Sequence, residues 1–418
     1  MTDQNLGTTA AEDRVAVTTG RGADVLAVSL MFIFITGSVT LSLMPVVTGE
    51  LRTGVGLTDS QIGLLTSVFM GFYGVAGISS GIGAARWGGR LLGVSCGCFV
   101  AGSLIFGLSS GFAGFLVGRA IQGIGGGMVI ATSSPVLAHA LPPERLARAW
   151  GILGSGWGLG SMGALLIMPG IQDWGGYRAV FLTTAGLGLV VGVAALSQKA
   201  IRALPHHPEG ATTLRGLAAS LGAVIANRRV VLLGLANTAG LAIGVGVLVW
   251  TPSFLQDVHQ SGESISVYLV AGLGAAQLLG NPLGAFACRR WGKLGVIVLS
   301  LLLMVVGTAV VGIVPGVPLT FAMVLVVGFF SMFFFPPMLG YMPEVVAKPE
   351  HVGPATGINS SMGFAGSLIA PWIFGLFLDA GGQSSRSYVA GYLMLAAFGV
   401  VALIGLAFFK GSKIRPGS

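Results

Sequence analysis

The stretch "VGRAIQGIGGG", residues 117–127, places one arginine, Arg119, among residues that carry no charge. The nearest His, Lys, Arg, Asp or Glu side chains before and after it are Arg90 and His139. Of the 418 residues, 54% are hydrophobic and 9% are charged, which is unlike the composition of a soluble domain. Apolar runs of about 20 residues, the length that crosses a bilayer, recur from Val25 to Phe409. The sequence therefore predicts an integral membrane protein made of helices.

Charges, prolines and glycine-rich turns divide the apolar runs into twelve predicted crossings, so the predicted fold class is an all-α membrane protein. Glycine is abundant, with 69 residues, as expected where membrane helices pack closely. The predicted crossings are 25–48, 60–83, 91–109, 112–138, 147–169, 179–197, 229–252, 264–286, 294–314, 318–341, 354–378 and 388–409.

The basic residues are distributed unevenly between the two sets of loops. Eighteen of the 22 lysines and arginines fall in the tails or in the loops on the same side as the termini. Only Arg52, Arg178 and Arg386 fall in the other loops, and Arg119 lies within a helix. Because cytoplasmic loops are enriched in basic residues, we expect both termini to be cytoplasmic. The expected location is the plasma membrane, or the inner membrane of a Gram-negative bacterium.

The two halves of the sequence resemble each other at an offset of about 205 residues. "ARWGGR" at 85–90 corresponds to "RRWGK" at 289–293, and "QDWGG" at 172–176 corresponds to "LDAGG" at 378–382. Such repeats are typical of secondary transporters, whose substrate site lies between the two repeats. The predicted units are a cytoplasmic tail, a six-helix bundle, a cytoplasmic linker, a second six-helix bundle and a second tail, over 1–24, 25–197, 198–228, 229–409 and 410–418.

Three motifs together resemble the major facilitator superfamily (MFS): "GIGAARWGGR" at 81–90, "RAIQG" at 119–123 and "GGYRAVF" at 175–181. The resemblance covers nearly the whole chain and implies the MFS fold of two six-helix bundles. It assigns no subfamily, although cyanate-permease-like and monocarboxylate-like members fit loosely.

The resemblance implies that the loop after the second crossing takes part in gating. Ala85 occupies the place of the family's aspartate, which departs from the usual gating charge network. Alternatively, the basic residues in these loops act only as topology determinants. The gating candidates in the two corresponding loops are Gly81, Arg86, Gly88, Arg90, Arg289, Arg290 and Lys293.

Arg119 and Gln122 are three residues apart, so they share a helix face and can both point into the bundle. A lipid-facing arginine at this depth would cost about 2.5–3.5 kcal/mol on the insertion scale. The resemblance implies a role for Arg119 in proton coupling or substrate binding. The alternative is a packing arginine that is hydrogen-bonded to carbonyls of a neighbouring helix.

The family architecture implies a cavity lined by the first, fourth, seventh and tenth crossings and supported by the second, fifth, eighth and eleventh. Polar or aromatic residues near the middle of these crossings are candidates for substrate binding or coupling. In addition to Arg119 and Gln122, they are Thr36, Thr40, Tyr73, Trp157, Asn237 and Gln277. Hydroxyl groups also bond within their own helix, so each residue alone is ambiguous.

All 14 acidic residues fall in tails, loops or helix ends. A central cavity with Arg119 and no carboxylate favours an anion or a neutral solute over a cation. The motif "GWGLGSMG" at 156–163 resembles an antiporter signature but has Leu159 in place of its proline, which weakens drug/proton antiport. No catalytic constellation, metal spacing or phosphate-binding loop is recognisable.

The sequence thus predicts a secondary active transporter of a small organic or inorganic anion that works by alternating access. The alternatives are proton-coupled efflux of hydrophobic compounds or drugs, and a membrane sensor or assembly protein that does not transport. The expected partners are a small-molecule substrate, the lipid bilayer and a coupling ion, a proton or another. We expect a monomer, no cofactor, no nucleic acid and no enzymatic activity.

Overall fold

The computed structural model describes residues 20–87, 90–140, 143–198, 222, 226–313, 316–346 and 352–409. Helices form almost all of this part of the chain, and it contains no strand. The helices are α1 (Gly20–Ser42), α2 (Met44–Thr53), α3 (Asp59–Trp87), α4 (Arg90–Leu108), α5 (Phe112–Ala140), α6 (Pro143–Ser197), α7 (Arg228–Asp257), α8 (Glu263–Ile313), α9 (Val317–Phe333), α10 (Phe335–Val345), α11 (Val352–Gly381) and α12 (Ser385–Ala407).

Two of the helices each contain a sharp break at glycine. In α6 the break is at Gly175 and Gly176, and the φ angle of Gly176 is 66°. In α8 the break is at Gly292, where φ is 71°. Positive φ angles are readily adopted only by glycine, so these residues permit the chain to reverse without a loop. The breaks coincide with the predicted turns between 169 and 179 and between 286 and 294.

Ten helices within the described residues are long and apolar enough to cross a membrane. One of them, Ile152–Ser197, contains the break in α6. The predicted crossing 60–83 coincides with α3, part of which lies outside the described side chains. The all-helical fold is confirmed, and the number of twelve crossings stays a prediction.

The turns between helices lie on two faces of the molecule. We call the face that holds the start of α1 and the end of α12 the terminus face, and the other the opposite face. Hydrogen bonds join several turns on the opposite face: the Tyr177 hydroxyl donates to the Ser109 carbonyl at 2.8 Å, and the Tyr177 amide donates to the Glu50 carboxylate at 2.6 Å.

The apolar core is shared between the halves on the opposite face and divided on the terminus face. One cluster contains Leu51 and Phe69 from the N-terminal half together with Trp250 and Phe374 from the C-terminal half. Three separate clusters lie nearer the terminus face, one within residues 26–195 and two in the C-terminal half, within residues 230–409 and 287–333. The two halves are therefore packed together on the opposite face.

Many large apolar side chains on the outside of the helices are exposed, as expected for surfaces that face lipid. Val190, Val193 and Phe286 are 67%, 61% and 68% exposed. In water such surfaces would promote association, whereas in a bilayer they contact acyl chains.

Candidate functional site

Arg119 is fully buried about two turns from the start of α5, and it is hydrogen-bonded to two other helices, α1 and α3, and to Gln122 of its own helix. Its Nη1 donates to the Thr40 carbonyl at 2.8 Å and to Gln122 Oε1 at 3.0 Å. Its Nε donates to the Leu65 carbonyl at 3.3 Å. The guanidinium carbon lies 4.4 Å from the centre of the Phe69 ring, which is a cation–π contact. The predicted shared face of Arg119 and Gln122 is thus observed.

Local sequence explains how the guanidinium reaches backbone carbonyls. Pro45 has no N–H, so it cannot donate to the Leu41 carbonyl, and the first crossing is interrupted at Leu43, close to Thr40. On the other side, α5 approaches the backbone of α3 closely at Gly123, where a Cβ would lie 3.0 Å from the Phe69 carbonyl carbon. Glycine at 123 therefore permits the short distance that Arg119 spans.

The guanidinium has no carboxylate partner among the described residues, and its Nη2 is buried without any hydrogen-bond partner. Gln122 is held in place by a second bond, because its Nε2 donates to the Ser103 hydroxyl at 2.9 Å. A buried charge without a counter-ion is costly, and an unpaired donor adds to that cost. The site is therefore suited to an acceptor, best an anion, at Nη2.

A central aromatic cluster, made of Phe34, Phe69, Tyr73, Trp157 and Phe364, continues from the cation–π contact. Tyr73 is 4.7 Å from Phe364, 5.9 Å from Phe69 and 6.5 Å from Trp157, measured between ring centres. Trp157 is in turn 5.6 Å from Phe34. Phe364 belongs to α11, so the cluster joins the N-terminal half to the C-terminal half.

Two buried amides in the C-terminal half also have unpaired atoms. Asn237 Nδ2 donates to the Asn359 carbonyl at 2.9 Å and to its Oδ1 at 3.0 Å, while Asn237 Oδ1 has no partner. Gln277 Nε2 donates to the Ser331 hydroxyl at 3.3 Å, while Gln277 Oε1 has no partner. Asn359 is fully buried, and sequence reasoning missed it because a single asparagine in an apolar run gives no periodic signal.

These amides lie close to residues that neighbour the central aromatic cluster in the chain. Asn237 lies against Gly363, which precedes Phe364 in the cluster. Gly158, which follows Trp157, packs against Leu278, which follows Gln277. The structure thus places Asn237 and Gln277 near the helices that hold the cluster, where the two halves meet.

Thr36 and Thr40 are fully buried, and their hydroxyls are used within their own helix. The Thr36 hydroxyl donates to the Phe32 carbonyl at 3.1 Å, and the Thr40 hydroxyl donates to the Thr36 carbonyl at 2.7 Å. Such bonds satisfy a hydroxyl without a ligand. Thr40 contributes to the site through its backbone carbonyl, which accepts a hydrogen bond from Arg119.

The gating candidates that the structure describes lie on the terminus face. The burial of Gly81, the side chain of Arg86 and the whole of Gly88 lie outside the described residues. Three further candidates, Arg90, Arg289 and Arg290, are exposed. Lys293 donates to the Gly340 carbonyl at 2.6 Å and forms an ion pair with Glu344, both in the C-terminal half.

The family model described as Major Facilitator Superfamily matches residues 26–276 and 256–417, which together cover most of the sequence. The chain belongs to the Major Facilitator Superfamily. It is accordingly a multi-pass membrane protein, consistent with its apolar helices.

Individual relatives of this MFS chain are distant. An uncharacterised MFS-type transporter of Mycobacterium tuberculosis is 25% identical over 370 residues, which are 86% of this chain and 46% of that protein. The chain thus spans about half the length of this relative. A probable 4-methylmuconolactone transporter of Cupriavidus pinatubonensis is 22% identical over 357 residues, which are 83% of this chain and 82% of that protein.

Solved structures of similar fold include a bacterial homologue of the human lysosomal transporter Spinster, in an inward-facing and occupied conformation. Its TM-score is 0.71 with 18% sequence identity, and the match covers 94% of this chain and 99% of the other. At this identity the likeness supports the MFS fold alone.

Proposed function

We propose that this chain is a secondary active transporter of a small solute with an anionic group, working by alternating access of its two halves. The observation that supports this most is the buried Arg119, whose Nη2 has no partner and whose charge has no counter-ion among the described residues. An anionic group bound at Nη2 would satisfy both needs with a charge-assisted hydrogen bond.

The positions of the acidic residues favour the same sign of substrate. All 14 fall outside the predicted crossings, so the crossings contain the positive charge of Arg119 and no carboxylate. A cationic solute would meet Arg119 without any compensating carboxylate, which is unfavourable in a medium of low dielectric constant. Anions and neutral solutes do not have this penalty.

The central aromatic cluster supports a substrate whose body is apolar or planar. Tyr73, Trp157 and Phe364 come from three helices and both halves. Aromatic rings in such an arrangement stack against flat apolar groups while a polar group fixes the orientation. A relative covering most of this chain is a probable transporter of 4-methylmuconolactone, an organic compound, and is in keeping with this proposal.

Alternating access requires the halves to separate on one face at a time. The shared core on the opposite face and the divided cores on the terminus face support two moving bodies, which we assign to residues 25–197 and 229–409. The basic loops support a cytoplasmic position of both termini, and with this orientation the state described is closed towards the outside.

The test is ligand-induced thermal stabilisation of the full-length protein purified in detergent. The panel pairs benzoate with its neutral isostere benzamide, adds acetate and sulfate, and includes the lipophilic cation tetraphenylphosphonium. A ligand at 100 times its dissociation constant stabilises the folded state by about 2.7 kcal/mol. We expect benzoate or another anion to raise the melting temperature, and benzamide to have no comparable effect.

Two variants make the test specific to the site. Arg119→Gln removes the charge at the site, and Arg386→Gln removes a charge from an exposed position. Stabilisation by the anion should disappear in Arg119→Gln and persist in Arg386→Gln. Stabilisation by the cation alone, or an equal response of both variants, would refute the anion proposal and favour efflux of hydrophobic compounds. Ligand binding without flux in vesicles would favour the sensor alternative.

A further inference from the structure

A cluster of charged side chains joins the two halves on the opposite face. Arg52, at the end of α2, donates to Asp59 Oδ1 through Nη2 at 2.6 Å and through Nε at 3.0 Å. The same guanidinium donates through Nη1 to both oxygens of Asp257, at 2.9 and 3.2 Å. Asp59 belongs to the N-terminal half and Asp257 to the C-terminal half, so one arginine connects them.

A second connection runs in the other direction, from the end of α11 to the start of α3. The Asp379 carboxylate accepts hydrogen bonds from the backbone amides of Asp59 at 2.8 Å and Ser60 at 3.0 Å. These amides are free N–H groups at a helix N-terminus, where a negative charge is favourable. A residue of the C-terminal half therefore caps a helix of the N-terminal half.

Two further side chains complete the arrangement. Gln383 Nε2 donates to Asp59 Oδ2 at 2.9 Å, and the Tyr388 hydroxyl donates to Asp257 Oδ2. The backbone of Gln383 has a positive φ of 60°, which residues other than glycine rarely adopt. The side chains of Arg52, Asp59 and Asp257 are only 15%, 2% and 19% exposed, so water screens these contacts weakly.

The internal repeat relates Arg52 to Asp257. Arg52 and Asp257 are 205 residues apart, the same offset that relates the two halves of the sequence. They therefore occupy corresponding positions, each near the opposite-face end of the first crossing of its half. Corresponding positions meet near the axis that relates the halves, and opposite charges there attract each other across it.

The terminus face has a different arrangement of charges. Its described ion pair, between Lys293 and Glu344, lies within the C-terminal half. The described ion pair that crosses between the halves, Arg52 with Asp257, lies on the opposite face. Among the described residues, the ion pair between the halves thus stabilises the closed opposite face.

We propose that Arg52, Asp59, Asp257 and Asp379 form a charge latch that holds the opposite face closed and must break each time this face opens. The latch rests on the alternating access of the proposed function, but not on the identity of the substrate. Without the Arg52 charge, Asp59 and Asp257 lose their shared partner. The open-faced state, in which the carboxylates are hydrated, then becomes more populated.

The test measures the distance between the halves on the opposite face by electron paramagnetic resonance in lipid nanodiscs, with no ligand added. Spin labels are attached through Ala113→Cys on α5 and Leu319→Cys on α9, both exposed positions, after the three native cysteines are replaced by serine. The perturbing variant is Arg52→Gln. The matched control is Arg178→Gln, an arginine on the same face whose described contacts, with Tyr177 and Ser110, stay within the N-terminal half.

In Arg52→Gln we expect the population at longer distances to rise at least about fivefold relative to the population at the closed distance. Arg178→Gln should keep the distribution of the parent protein. Asp379→Asn, which removes the charge but keeps the side-chain size, should act in the same direction and substitutes for Arg52→Gln if that variant does not fold. An unchanged or shortened distance in the latch variants would overturn the proposal.

This measurement separates the latch from the proposed function. If the latch variants shift the distance but no solute moves across vesicle membranes, the latch is correct and the transport proposal fails. If an anion is transported and the distances stay unchanged, the transport proposal stands and the latch is wrong.

Discussion

Gly63 provides a testable prediction, because a methyl group added at this position would collide with the backbone of the other half. Gly63 lies on α3, and a Cβ at this position would overlap the carbonyl oxygen of Pro371 on α11 and lie 2.8 Å from its carbonyl carbon. The neighbour is backbone, so no rotamer change can relieve the overlap. Gly63→Ala is therefore incompatible with the closest packing of the two halves on the opposite face.

The size of the effect follows from the cost of overpacking. Adding a methyl group to a tightly packed contact costs about 1–3 kcal/mol. The contact exists only while the opposite face is closed, so the cost falls on the closed state and not on the open state. The ratio of open to closed molecules should therefore rise by a factor of about 5–150.

Gly123→Ala is the matched control for Gly63→Ala. A Cβ at 123 would overlap the Phe69 carbonyl oxygen, but both residues belong to the N-terminal half. Its cost falls on both states, so it should lower the melting temperature without changing the distance between spin labels at 113 and 319. Gly63→Ala should increase that distance with a smaller loss of stability. If the two variants behave alike, the reasoning that the halves move as separate bodies is refuted.

Three further predictions concern the interior of the protein. Gln122→Leu removes an acceptor from the buried charge of Arg119, so the melting temperature should fall by an amount equivalent to about 1.5–3 kcal/mol. Trp250→Phe keeps an aromatic ring but loses the bond from its indole N–H to the Pro371 carbonyl, 3.1 Å away, and should cost about 1 kcal/mol in the same assay. Cys96 is 3% exposed, so it should react with a maleimide in the unfolded protein and not in the native one.

Much of the fold could be predicted from the sequence, because apolar length and glycine position are local signals. The glycines that reverse the chain within α6 and α8 lie where the predicted crossings end. The contact between Arg119 and Gln122 could also be predicted, because residues three apart share a helix face.

The partners across the interface could not be predicted, because contacts between distant residues leave no local pattern. Asp379 caps a helix more than 300 residues before it, and Asn359 pairs with Asn237 across two helices. One usable signal was present. Arg52 and Asp257 differ in position by the repeat offset and have opposite charges, which would have indicated a pair near the axis between the halves.

The contacts of Arg119 agree in part with both of its predicted roles, packing between helices and binding a ligand. Its Nε and Nη1 bond to carbonyls of neighbouring helices, as expected of a packing arginine. Its Nη2 has no partner, as expected of a group that awaits a ligand. Sequence alone could not separate these interpretations, because both require the same buried guanidinium.

The central claim is that the buried charge of Arg119 is required to move an anionic solute. The most direct test is the uptake of labelled benzoate, or of the anion that stabilises the purified protein most, into proteoliposomes preloaded with the same unlabelled anion. We expect exchange in the parent protein and in Arg386→Gln, and no exchange above protein-free liposomes in Arg119→Gln. Exchange in Arg119→Gln at the parent rate would contradict the claim and leave Arg119 with a structural role alone.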